Sequence, residues 1–191
     1  MVSFYMYMKP FNKIIEGMIL MQFHEASSSN LRINPSRTFN NKWFLLAAGD
    51  ESDYNMMTVS WGSLGVLWGK DVFTAVVRPS RHTYKFMESS DYFTASVFPE
   101  EYREQLTFCG RNSGRDVDKT AETGFTPIFR DNGIIFEESE LVFICKKIYI
   151  TDIVPQGFVG MDVKEAYPNG NLHRAYVGEI INVLKKDSST Y

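Results

Sequence analysis

Apolar and polar positions alternate most clearly in Tyr92–Phe98, where Thr94 and Ser96 stand against Phe93, Ala95 and Val97. A period of two is the pattern of a β-strand with one face toward a core. Val72–Val77 is a β-branched run ended by Pro79, which cannot donate into a strand ladder. Trp43–Ala48 reads as a short apolar strand, Gly49–Asp53 as a turn, and Asn55–Trp61 as the strand that follows. Leu141–Ile150 and Tyr176–Leu184 are later strands. Helical segments are few and short. Arg81–Glu88 has Ser80 as its expected N-cap, Glu100–Phe108 follows Pro99 with acidic residues in its first turn, and Asp116–Thr123 stops at Gly124. Many strands with few short helices predict a mainly β fold: a closed or nearly closed β-barrel with flanking helices rather than a doubly wound sheet. Neither GxGxxG nor a P-loop occurs, which excludes those nucleotide-binding architectures on motif.

Composition narrows the function classes. At 191 residues, with 44% hydrophobic positions, 15 Phe and 10 Tyr, the chain can build one well-packed domain. Its 20 basic and 23 acidic residues are mixed along the sequence and give a net charge of −3. No basic stripe is available to release counterions from a nucleic acid, so none is expected as a partner. Cys109 and Cys145 form no CxxC pair, which fits a reduced, cytoplasmic setting. Cys109 reads as a small buried thiol rather than a nucleophile, and His24, His82 and His173 are too scattered for a metal site. No constellation of side chains for acid–base or nucleophilic catalysis is visible. In the leading segment, Lys9 and Lys13 precede an apolar run, but Glu16 interrupts it, against a signal peptide. No run approaches the roughly 20 apolar residues of a membrane-spanning helix, so no membrane partner is expected. Residues 185–191 read as a frayed tail.

Candidate chemistry gathers in three polar clusters at predicted element boundaries: Thr58-Val59-Ser60, Arg78-Pro79-Ser80-Arg81 and Ser113-Gly114-Arg115. Together they suggest a ligand with a flat, polar-edged ring and a phosphate tail. In Arg78–Tyr84, two guanidinium groups, two hydroxyls and a helix start lie within seven residues, enough to hold a phosphate. Spacing alone equally allows a solvated basic turn. Along Asn55–Trp61, hydroxyls and backbone groups could meet a ring edge while Trp61 or Trp68 covers an apolar part; an ordinary strand has the same composition. The loop before Lys119 could bring Ser113 and Lys119 to a ligand, with Gly114 permitting close backbone approach, or could simply be a capped surface helix. His173 in Gly170-Asn171-Leu172-His173 stands five positions before Gly178.

The stretches NMMTVSWGSLGVLWGK, VVRPSRHTYKFM and YFTASVFPEEYREQLTFCGRNSGRDVDK, taken in order, resemble the flavin-reductase-like FMN-binding split-barrel family, and within it the flavoredoxin branch. The resemblance covers residues 23–184 and leaves 1–22 as an extension outside the family domain, with Met1 an upstream start. It implies a six-stranded antiparallel split barrel binding FMN, as a homodimer, with FMN contacts from Thr58, Val59, Ser60, Trp61, Arg78, Ser80, Arg81, Thr83, Tyr84, Ser113 and Lys119. It further implies a flavoprotein oxidoreductase moving electrons from NAD(P)H through FMN to a small-molecule or protein electron acceptor. Members of the superfamily carry Gly-Asp-His where this chain has Asn171-Leu172-His173; the histidine-to-glycine spacing holds and makes His173 the nicotinamide-site candidate. The altered dipeptide keeps open an electron carrier with no NAD(P)H site of its own.

Overall fold

The computed structural model describes residues 23–187 together with Ser189 and Tyr191; the expected extension 1–22 lies outside the described residues. In chain order the strands are β1 (Phe23–Glu25), β2 (Phe44–Gly49), β3 (Tyr54–Val59), β4 (Gly62–Leu67), β5 (Lys70–Val77), β6 (Tyr92–Val97), β7 (Pro127–Arg130), β8 (Gly133–Phe136), β9 (Leu141–Asp152) and β10 (Arg174–Lys186). Helices are α1 (Pro35–Arg37, running into a π-helical turn), α2 (Thr83–Ser89), α3 (Arg103–Arg111), α4 (Lys119–Thr123) and α5 (Val163–Ala166).

The main sheet is antiparallel and eight-stranded, in the order β3-β2-β6-β9-β10-β5-β4 with β1 added on β10, while β7 and β8 form a separate hairpin. Eight strands exceed the six expected. The two ends of the ladder, β3 and β4, are neighbours in sequence yet are not paired with each other. The sheet therefore curls until its ends approach and stays open along that seam, which is the split of the barrel.

Alternation explains the wrapping. Phe44 and Leu46 of β2, Phe73 and Ala75 of β5, Phe93 and Ala95 of β6, and Phe143 and Cys145 of β9 point into one core. The intervening Leu45 and Ala47 pack outward with Leu106 and Cys109 of α3 and Phe136 of β8. A strand buried on both faces reads as a continuous apolar run, as FLLAA does. The core centre is aromatic: Phe44 and Phe73 meet edge-on at 5.0 Å, and Phe73 lies 6.0 Å from Phe143, geometries that add to area burial. In β10, Gly178 lies at a register shift against β9, and a Cβ there would lie 2.6 Å from the Phe93 ring and 2.7 Å from Cys145. Packing alone thus requires the glycine of the His173–Gly178 spacing.

Several element boundaries differ from expectation. β3 ends at Val59, so Ser60 and Trp61 form the corner before β4 rather than strand. Ser80 caps no helix: α2 starts at Thr83 after turns closed by Arg81 N–H to Arg78 O and Tyr84 N–H to Arg81 O, both 3.0 Å. α4 begins only at Lys119, where the Asp118 carboxylate accepts from the Thr120 and Ala121 amides, and it does end at Gly124 in the left-handed conformation. The C-terminal stretch is less frayed than its composition suggests. β10 continues to Lys186, and the Tyr191 ring packs on the barrel core with the Lys42 ammonium 4.8 Å from its centroid. Among the described residues no helix is long and apolar enough to cross a membrane, and no cluster of metal-ligating side chains occurs.

Candidate functional site

A cleft of about 260 Å³ opens at the seam, lined by Met57, Thr58, Val59, Ser60, Trp61, Val76, Arg78, Arg81 and His173. Its position follows from topology. The end of β3, the corner to β4, the end of β5 and the start of β10 meet there, where the ladder is interrupted and backbone groups are not all paired across strands. Gly62 makes the corner possible, because a Cβ there would lie 2.3 Å from the Thr74 carbonyl and 2.7 Å from the Phe39 ring.

The electrostatics are one-sided. No carboxylate lines the cleft, and among the described residues neither Arg78 nor Arg81 belongs to an ion pair. Arg78 Nε is buried with no hydrogen-bond partner. Leaving a buried charged donor unsatisfied costs about 1–3 kcal/mol or more, so an acceptor oxygen placed there would relieve it. Arg81 is half-buried, hydrogen-bonded to the Gly110 carbonyl, and its affinity for a proton is lowered by burial and then by Arg78. Two unneutralised guanidinium groups facing one cleft form a site for an anion such as a phosphate.

Beside the arginines is an aromatic group. The Trp61 ring lies 5.1 Å from His173 and meets Tyr167 edge-on at 6.0 Å. His173 Nδ1 lies 2.9 Å from the Tyr167 hydroxyl. Burial first, and then the Arg78 charge, push the His173 pKa down to about 4, so the imidazole is neutral at pH 7. Trp61 itself remains substantially exposed, leaving a flat apolar surface beside the polar corner.

The sequence candidates divide into two groups. Thr58, Val59, Ser60, Trp61, Arg78, Arg81 and His173 come together in the cleft. Thr58 directs its hydroxyl to the Leu106 carbonyl of α3, so its backbone rather than its side chain is left for a ligand. Ser80 sits at the rim and accepts from Asn171 Nδ2 at 2.7 Å, tying the loop before His173 to the arginine turn. Thr83 lies apart: it is 1% exposed, and its hydroxyl accepts from Asn55 Nδ2 at 2.8 Å. Tyr84 points toward Tyr176 and Arg174. Ser113 accepts from its own loop, at Arg115 N–H, while Arg115 reaches the Ser80 carbonyl at 3.3 Å. Lys119 is buried, its ammonium donating to the Met56 and Cys109 carbonyls at 2.8 Å each, and burial pushes its pKa down to about 8. It braces β3 against α3. Burial also pushes the Cys109 thiol up to about 11, which removes its nucleophilic form at neutral pH. Tyr167 was not legible as a site residue; its only sequence signal is an aromatic in a turn-rich loop six positions before His173.

A family model described as "Flavin reductase like domain" matches residues 36–190. The chain belongs to the flavin reductase like family. No curated protein matches it. Among solved structures it is similar to flavoredoxin from Methanosarcina acetivorans, at 19% identity and a TM-score of 0.62 over 83% of this chain and 76% of that one. It is also similar to an FMN-binding protein from Thermus thermophilus, at 16% identity and a TM-score of 0.62 over 86% and 82%. A protein from Shewanella frigidimarina described as having a split barrel domain matches at 18% identity and a TM-score of 0.61 over 86% and 81%. These likenesses show the fold, a split barrel. Within it, this family member places at the seam two arginines that have no ion-pair partner among the described residues, with the aromatic group beside them.

Proposed function

We propose that this flavin reductase like protein binds FMN in the seam cleft and moves electrons from NAD(P)H to a small-molecule or protein acceptor. The single observation that carries the reading is the pair Arg78 and Arg81, with Arg78 Nε buried and unpartnered in a cleft free of carboxylates. A terminal phosphate monoester supplies the acceptor oxygens that this donor set lacks. FMN is the flavin that ends in such a group, and the similar Thermus thermophilus structure is described as FMN-binding. When bound, FMN supplies the hydride and electron chemistry.

The chain's own residues would bind and orient. Arg78 and Arg81 hold the phosphate. Backbone groups of Thr58, Val59 and Ser60 meet the polar edge of the ring, and Trp61 covers an apolar part and excludes water. His173, neutral and a donor or acceptor of one hydrogen bond, stands where a nicotinamide would approach. No side chain need act as a general acid or base. Because Trp61 beside the cleft is exposed, as are Leu67 and Trp68 at the far tip of the β4–β5 hairpin, we assign the native state as a homodimer whose second copy covers these apolar side chains. The buried free thiols Cys109 and Cys145 fit the reducing cytoplasm.

A second reading is favoured by Asn171-Leu172, which replaces the Gly-Asp of related reductases: an electron carrier of the flavoredoxin kind with no NAD(P)H site. Anaerobic titration of the purified yellow protein separates the two. Bleaching by NADH or NADPH supports the reductase, and bleaching by dithionite alone supports the carrier. A colourless protein that takes up no FMN contradicts both.

A further inference from the structure

We infer that Tyr167 is a positioning residue that locks His173 in a single tautomer, with Nδ1 accepting from the Tyr167 hydroxyl and Nε2–H left as a donor to a carbonyl or carboxamide oxygen of the second ligand. The inference rests on the reading of the cleft given above. The geometry begins with the 2.9 Å contact between His173 Nδ1 and the Tyr167 hydroxyl. Such a contact has two arrangements. If Nδ1–H donated, the phenolic proton would need another acceptor, yet Tyr167 is 7% exposed and among the described residues its hydroxyl has no other hydrogen bond. Buried hydroxyl protons find acceptors, so the phenol donates and Nδ1 accepts. The proton of the neutral ring then resides on Nε2.

The aromatic and charged groups around the imidazole support that state. Trp61 presents its ring from the β3–β4 corner at 5.1 Å, and Tyr167 crosses it from the loop after α5 at 5.4 Å. Arg78, at the end of β5, contributes the one formal charge acting on it, and that charge opposes a second proton. Phe158 meets the Tyr167 ring edge-on at 6.1 Å and fixes the phenol in turn. The Asn171–Ser80 hydrogen bond, 2.7 Å, holds the intervening loop against the arginine turn. Tyr167 thus acts through His173 and touches no reacting atom.

The test is the imidazole nitrogen spectrum of the ¹⁵N-labelled, FMN-loaded protein at pH 7, with His173→Gln used to assign the His173 signals. The expected parent spectrum has a protonated Nε2 and a bare, hydrogen-bonded Nδ1. In Tyr167→Phe, which keeps the ring packing, the tautomers mix and His173 titrates at higher pH. Alongside, KM for NADH rises about 2- to 10-fold, the worth of one neutral hydrogen bond, while FMN affinity stays within about twofold. His173→Gln, whose amide can still donate, retains more of the parent KM than His173→Ala. A protonated Nδ1 in the parent, or an unchanged spectrum in Tyr167→Phe, overturns the proposal. If NADH fails to reduce the parent, the reductase reading falls, and the spectrum still decides the tautomer by itself.

Discussion

At the scale of single residues, the cleft is organised by charges that lack partners and by side chains whose partners are already fixed. Arg78 is in the first class and Thr83 in the second, a distinction their sequence neighbourhood does not make. In RPSRHTYK the hydroxyls and arginines look equivalent; only the fold reveals that Asn55 occupies Thr83 while nothing occupies Arg78 Nε. Thr83→Val should therefore cost stability, about 1–3 kcal/mol for the Asn55 amide left unsatisfied, and leave FMN affinity nearly unchanged. Chemical denaturation alongside a flavin titration checks both parts. His173 carries a pH signature. Its folded pKa, about 4, lies below the ordinary 6.5, so between those values the unfolded chain binds more protons and stability falls as pH falls. His82 is shifted in the same direction by burial and then by Lys85. Acidification from pH 7 to pH 5 should lower the Tm of the parent more than that of His173→Gln. Equal shifts in the two melts would show that His173 does not titrate as its burial requires.

At the scale of elements, the strands with a clear inward face were legible and the rest were not. β5, β6, β9 and β10 announce themselves by alternation or β-branched runs because one face packs on the aromatic core. β4, GSLGVL, is exposed over most of its length; with neither face buried it shows no period in the sequence. β7 and β8 span only four residues each, too short for a period to show. Helix starts differ for a related reason: Ser80 offers a capping side chain where turns close the chain instead, and the helix expected from Asp116 starts only after Asp118 caps it. The same scale explains Gly178. Since a Cβ there would meet the Phe93 ring and Cys145, Gly178→Ala should destabilise the fold by roughly 1–3 kcal/mol through overpacking, measured by denaturant unfolding. Phe73→Ala, at the centre of the same core, should cost roughly 3–5 kcal/mol.

At the scale of the whole molecule, the split between β3 and β4 is the organising feature. One sheet curls into a barrel, its ends fail to pair, and the cleft that results gathers residues of β3 and β5 and of the loops flanking β4, β5 and β10, which only the topology brings together. Trp61 beside the cleft, and Leu67 and Trp68 at the tip of the β4–β5 hairpin, are exposed and should be covered by a second copy. Light scattering at micromolar concentration should report twice the 22.0 kDa of the chain, and a mass equal to one chain would contradict the homodimer. The central claim is that the arginines at this seam hold the phosphate of FMN. Its most direct test is a paired titration of the apoprotein and its Arg78→Gln variant with FMN and with riboflavin, which lacks the phosphate. The account predicts that FMN binding to the variant weakens by about 10- to 100-fold, the worth of a charge-assisted hydrogen bond, while riboflavin binds both proteins alike. Equal weakening of the two flavins, or none for either, would contradict it.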